Sequence, residues 1–311
     1  MTTALFTHAA CLAHETPPGH PESSDRLRTI LHALEGVRGL LREDAPAAER
    51  AALLRAHDEA LVEKVLVTLA DEATREHFVR VDADTAMSSG SVEAALRAAG
   101  AVVAAVDRVM AGRVKNAFCA VRPPGHHAER ARAMGFCLFN NVAIAGLHAR
   151  EQHGLKRIAV IDFDVHHGNG TQDIFWNDPD LFYASTHQWP LYPGTGRPAE
   201  RGIANNILNA PLPAGSGSEA FRATFTSTVL PALDSFAPDF VFISAGFDAH
   251  RADPLAELLL TEEDFAWATR EICVIAARRC QGRVVSTLEG GYDLTALARS
   301  TVAHVQALME A

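Results

Sequence analysis

With 311 residues and 48% hydrophobic content, the chain can bury the core of one large α/β domain or two ordinary ones, which argues against a disordered protein. A formal net charge of -10 with no dense run of Lys or Arg argues against a nucleic-acid partner, because phosphate binding needs cations to neutralise the backbone; an acidic surface suits cationic or neutral substrates. No window approaches the roughly 20 apolar residues of a membrane span, and MTTALFTHAA lacks a charged start followed by a long apolar stretch, so the expectation is a cytoplasmic protein without a membrane partner.

In chain order, ALFTH (4–8) reads as a first strand, followed by the helical pattern SSDRLRTILHALE with Ser24 or Asp25 at its start. SGSVEAALRAAGAVVAAVDRVMAG predicts a second helix closed by Gly112, and NAFCAV (116–121) a second strand. After the helical stretch NNVAIAGLHAREQHG come strands RIAVIDF (157–163) and LFYAST (181–186), then a surface loop in PLPAGSGSE (211–219). SEAFRATFTSTVLPALDSF reads as a helix, FVFISAG (240–246) as a strand, TEEDFAWATREICVIAARRC as a helix opened by Thr261 with Asp264 three residues on, and VVSTLE (284–289) as the last strand. The strand runs are nearly continuous in apolar residues, the mark of burial on both faces in a parallel sheet covered by helices. The five cysteines, Cys11, Cys119, Cys137, Cys273 and Cys280, form no CxxC pair and predict reduced thiols without a disulfide.

In an open α/β sheet, ligands sit beyond the carboxyl ends of the strands. Four runs end in unusual polar segments there: NAFCAV in RPPGHHAE, RIAVIDF in DVHHGNGT, FVFISAG in FDAHRADP, and VVSTLE in GGYD. Pro123 and Pro124 force an extended exit that delivers His126 and His127 from a rigid loop. Within IDFDVHHGNG, Asp162, Asp164 and His166 are spaced i, i+2, i+4, so in extended backbone all three share a face. One such residue alone is usually a helix cap or a hydrogen-bonded core group. Two carboxylates and an imidazole beside a buried strand, with no Lys or Arg adjacent, call for a cation. Oxygen and nitrogen donors without a nearby Cys suit a catalytic zinc, with manganese or iron as alternatives, and Asp248 is the best third ligand by position.

RPPGHHAE, GFCLFNN, IDFDVHHGNGT, SAGFDAHRADPL and LEGGYD stand in the order of the signature segments of the zinc-dependent histone deacetylase family, which includes bacterial class II-like deacetylases and acetylpolyamine amidohydrolases. The chain resembles that family over most of its length, with CLAHETPPGHPESSDRL and YPGTG also matching. The resemblance implies one arginase-like α/β domain over 1–311, with an open, mainly parallel sheet of about eight strands and helices on both faces. It implies one zinc per chain on Asp164, His166 and Asp248, with His127 as general base toward water and general acid to the departing amine. His126 would assist, and Asp162 would orient His126. Asn169 falls where some members carry the Asp partner of the second histidine; relatives in the second class also carry Asn. Tyr292 would donate its hydroxyl to the oxyanion. Gly135, Phe136, Tyr192 and Leu255 would line a narrow channel, Tyr192 replacing the commoner Phe, and Gly290 and Gly291 would let the Tyr292 loop move. A potassium ion would take the Asp162 carboxylate, the Ser185 hydroxyl and the carbonyls of Asp162, Asp164, His166 and Thr186.

The implied activity is removal of acetyl or other acyl groups from acyl-lysine peptides, proteins or small acylated amines; oligomeric state is left open. An acetylpolyamine deacetylase is the nearest alternative, and the family's polyamine-selective members carry Glu where this chain has Leu255. A binuclear manganese ureohydrolase would want a second carboxylate where Asp248-Ala249-His250 has His250. A silent acyl-lysine reader would not need both histidines and Tyr292. Of the other histidines, His8, His14, His32, His57, His77, His148 and His153 lack ligand spacing, His20 falls near the expected channel rim, and His250 stays ambiguous.

Overall fold

The computed structural model describes residues 2–311. Its strands are β1 (Thr3–Thr7), β2 (Leu41–Asp44), β3 (Val79–Arg80), β4 (Ala86–Met87), β5 (Asn116–Cys119), β6 (Ile158–Asp162), β7 (Leu181–Gln188), β8 (Ile207–Leu212), β9 (Phe240–Ala245) and β10 (Val284–Leu288). Eight of them form one sheet in the order β2-β1-β5-β10-β9-β6-β7-β8, and every neighbouring pair is parallel. β3 and β4 make a separate antiparallel pair. The predicted runs map onto β1, β5, β6, β7, β9 and β10, and their continuous apolar character matches nearly complete burial.

The two sheet strands without a sequence prediction are the edges. β2, LRED, is largely exposed and charged, which discourages pairing with another chain. β8, ILNAPL, carries Pro211, a residue a sheet tolerates at its edge because it has no N–H to donate. β8 also takes the first two residues of the segment read as a loop, Pro211 and Leu212.

Helices Ser91–Met110 and Asn141–His153 pack together as one group; Ser24–Glu35, Glu262–Cys280 and Leu294–Glu310 form the other. Ser23, one residue earlier than expected, holds the N-cap position of Ser24–Glu35 without a side-chain cap hydrogen bond, leaving Ser24 and Asp25 in the opening turn. Gly112 follows the second predicted helix at φ +64, and Thr261 with Asp264 forms a reciprocal capping box. The predicted helix over 218–236 is two α segments, Ser218–Thr224 and Leu230–Phe236, joined by a π turn at Phe225–Val229; Pro231, lacking an N–H, interrupts the regular ladder just beyond. All five cysteines are buried and free. Among the described residues no helix is long and apolar enough to cross a membrane.

The four strands whose ends looked unusual, β5, β10, β9 and β6, are consecutive neighbours at the centre of the sheet. Chain order does not reveal this, since Gly125, past the end of β5, meets Glu289, just past the end of β10, from 164 residues away.

Candidate active site

Beyond β6 the backbone curls so that each acidic side chain receives an N–H from the loop itself. The Asp164 amide donates to Asp162 Oδ1 at 3.1 Å, the His166 amide to Asp164 Oδ1 at 2.8 Å, and the Val165 amide to Asp248 Oδ1 at 2.9 Å. From β10, the Gly290 amide donates to Asp164 Oδ2 at 2.7 Å. Gly290 permits that approach because a Cβ there would lie 2.0 Å from Asp248 Oδ2.

The result brings His166 Nδ1 to 3.2 Å from Asp164 Oδ1 and 3.1 Å from Asp248 Oδ2, with ligand atoms of all three residues within 4.8 Å of one another. A tetrahedral ion with bonds of about 2.0 Å separates its ligands by about 3.3 Å, so this donor set fits a zinc-sized ion with small adjustments. The electrostatics agree. Burial opposes charge on His166 and His126, but Asp164 and Asp248 around the first, and Asp164 and Asp162 around the second, push each up to about 10. Burial pushes the Asp164 carboxyl up, and His126 and His166 outweigh it and hold it low. The cluster attracts positive charge.

Asp162 does not join the three. Its Oδ2 lies 3.0 Å from His126 Nδ1 and accepts the Tyr183 hydroxyl at 3.0 Å, so the shared face implied by i, i+2, i+4 spacing holds only for Asp164 and His166. His127 Nδ1 is 2.8 Å from Asn169 Oδ1, and Asn169 Nδ2 is in turn 2.7 Å from Glu129 Oε1. Burial, then His126 and His166, drive the His127 imidazole well below its ordinary value. Ser185 lies beside Asp162 in the β6–β7 register, its hydroxyl 2.9 Å from His187 Nδ1; the Thr186 hydroxyl is buried without a partner.

His127 and His166 face a channel of about 240 Å³ that is also lined by Gly135, Phe136, Tyr192, Leu255 and Tyr292, with Asp84 and Leu191. Gly135, at φ +58, sits against His127, where a Cβ would come within 2.5 Å of the ring. Gly290 and Gly291 lie behind Tyr292 and are not among the wall residues; Gly291 offers its carbonyl to Arg26 Nε at 2.6 Å, which ties the loop down. The Arg26 guanidinium covers the Tyr292 ring at 4.9 Å, and Asp253 Oδ2 accepts the Tyr292 amide at 2.7 Å. Burial keeps the Tyr292 phenol well above its ordinary value, with Arg26 opposing.

Sequence reasoning missed several supports. Glu289 accepts the amides of Gly125 and His126 and the Ser244 hydroxyl, at 2.7, 3.1 and 3.1 Å, and joins three central strands. Its place at the end of a buried apolar run was the available signal. Glu129 and Asp253 stand inside RPPGHHAE and SAGFDAHRADPL but had no role assigned to them, and Asp84, an acidic residue between two short strands, carried no signal. His250 turns from the cluster toward Glu262, 3.5 Å away, and His20 packs on Phe136 at 4.7 Å. His148 and His153 share Asp107 Oδ1 at 2.8 and 2.7 Å. His148 Nδ1 there is buried and unpaired, so a metal on Nε2 would leave an N–H without an acceptor.

A family model described as "Histone deacetylase domain" matches residues 20–308. The chain is 40% identical to "Histone deacetylase 14, chloroplastic" of Arabidopsis thaliana, covering 98% of this chain and 76% of that protein. It is 39% identical to a "Probable deacetylase" of Archaeoglobus fulgidus, covering 94% and 82%. The crystal structure of the HDA15 HD domain superposes with a TM-score of 0.92 at 35% identity, covering 100% of this chain and 89% of that one.

Proposed function

The chain belongs to the histone deacetylase family, and on that premise we propose that it is a zinc-dependent amidohydrolase that removes acetyl or other acyl groups from acyl-lysine-like amides. The observation that carries the reading is one channel lined by His166 of the three-ligand cluster, by His127 and by Tyr292, with the His126 ring packed 4.0 Å from that of His127.

Asp164, His166 and Asp248 would hold the ion, which when bound supplies Lewis-acid polarisation of the scissile carbonyl and lowers the pKa of water. His126 keeps its Nδ1 proton toward Asp162 and contributes positive charge beside the site. His127, the less basic of the two, is the better exchanger: its Nε2 takes a proton from the attacking water and passes it to the departing amine. Tyr292 stays a neutral O–H donor and aims that bond at the oxygen where charge develops. Gly135, Phe136, Tyr192 and Leu255 give the methylene chain an apolar sleeve that excludes water.

A potassium ion is proposed between Asp162 and Ser185. Supporting it, the carbonyl oxygens of Asp164 and His166 are paired with no backbone or side-chain N–H among the described residues. Against a binuclear reaction, His250 faces Glu262. The apolar Leu255 wall favours acyl-lysine over acetylpolyamine substrates, and a cytoplasmic, reducing location suits five free thiols. Turnover of an acetyl-lysine amide, together with metal analysis of wild type and Asp164→Ala, tests the reading. The expected result is one tightly bound divalent metal per chain, lost with activity in the variant. Two such metals, or a fully metallated Asp164→Ala, would overturn it.

A further inference from the structure

His127 has no carboxylate against its ring; it meets an amide, and an amide can face an imidazole either way round. With the carbonyl oxygen toward Nδ1, the ring proton must sit on Nδ1 and Nε2 is left with a lone pair. With the NH2 toward Nδ1, the proton is forced to Nε2, which then cannot accept one. The far end of the Asn169 amide decides between them. Asn169 Nδ2 lies 2.7 Å from Glu129 Oε1 and 3.4 Å from Met134 Sδ, and both neighbours are acceptors. Turning the amide over would press its oxygen against a carboxylate oxygen and a thioether sulfur.

We propose that Glu129 is a positioning residue that fixes the Asn169 amide and, through it, the Nδ1–H tautomer of His127, leaving Nε2 as the base toward the channel. Glu129 is built for the role. Its amide donates to the Arg132 carbonyl at 2.9 Å, its carbonyl meets His57 Nδ1 at 2.9 Å, and Asn169 opens helix Asn169–Phe175 on the other side. The two histidines thus differ in how far charge stands from the ring: Asp162 touches His126 directly, whereas Glu129 reaches His127 only through a neutral amide. That arrangement holds orientation without pinning a proton on a group that must exchange one.

This inference rests on the hydrolase reading, and its test separates the two. Ring 15N shifts of His127, assigned by loss of its signals in His127→Asn, report the tautomer whether or not the protein turns over substrate. The wild type should show a single Nδ1–H form. Glu129→Leu should show a mixture and lose roughly 10-fold in kcat or more, with KM nearly unchanged. Glu129→Gln, which keeps an acceptor oxygen, should retain the tautomer and most of kcat. An unchanged tautomer in Glu129→Leu, or a Glu129→Gln variant as damaged as Glu129→Leu, overturns the proposal. A second comparison covers poor folding of the Leu variant. Asn169→Asp alone sets a carboxylate against Glu129, while Glu129→Gln/Asn169→Asp supplies it with a donor, so the double variant should be about 10-fold more active than the single. Equal activity refutes the relay. An inactive wild type whose tautomer still mixes on Glu129→Leu would refute the hydrolase reading and leave this one standing.

Discussion

Tyr292→Phe removes one oxygen and leaves the rest of the site in place. The ring keeps the Arg26 guanidinium at 4.9 Å and Phe136 at 6.1 Å, the amide keeps Asp253, and none of the proposed metal ligands is touched. The loss should therefore be that of one preorganised oxyanion donor, roughly 10²–10³ in kcat or about 3–4 kcal/mol. Because the bond strengthens only as charge develops, KM for an acetyl-lysine amide should move little. Burial holds the phenol well above its ordinary value, so it stays protonated from pH 7 to 9, and the loss should be a constant factor across that range. Steady-state kinetics at three pH values, with metal content measured on the same samples, decides the matter. A variant with one metal and kcat within threefold of wild type would remove Tyr292 from the mechanism; a loss that grows or vanishes with pH would make it an acid and not a donor.

Gly135→Ala places a Cβ 2.5 Å from the His127 ring at a φ of +58, so it should keep its metal yet lose kcat by roughly 10²-fold through displacement of the imidazole; full activity would mean that His127 need not stay where it is. Leu255→Glu adds a carboxylate to the channel wall and should raise kcat/KM for N8-acetylspermidine relative to an acetyl-lysine peptide by about 10-fold. A wild type that already prefers the polyamine tenfold refutes the gatekeeper argument. Burial drives His304 down to about 3 from an ordinary 6.5, so the unfolded chain gains a proton that the folded one refuses. That contribution is present above pH 6.5 and is lost as pH falls toward 3, at about 1.4 kcal/mol per pH unit. Between pH 7.5 and 5.5, urea unfolding of wild type should therefore lose about 1.4 kcal/mol more than His304→Gln; equal losses would show that His304 is not the titrating group.

How far the sequence could be read follows from where each signal is stored. Strands β5, β6, β9 and β10 were legible because burial on both faces writes an unbroken apolar run, and the residues after each run were legible because a parallel sheet gathers its strand ends on one edge. β2 and β8 were not, since edge strands keep charge and proline to stay unpaired, and those residues read as loop. Within the site, residues joined through local backbone, such as Asp164 and His166, are predictable from spacing, whereas Asp162 shares their spacing and turns to His126, 36 residues earlier in the chain. Partners that act across the sheet leave no periodic trace. Glu289 binds the His126 loop from 163 residues away, Asp84 reaches the channel wall beside a two-residue strand pair, and Glu129 stands behind Asn169. Thus the residues proposed to bond substrate or metal stood out as chemistry in the sequence, while the partners that hold them became visible only when the chain was folded. The Asn169 amide shows why the second group matters: its identity alone left both tautomers of His127 open, and a single carboxylate beyond it removes the choice.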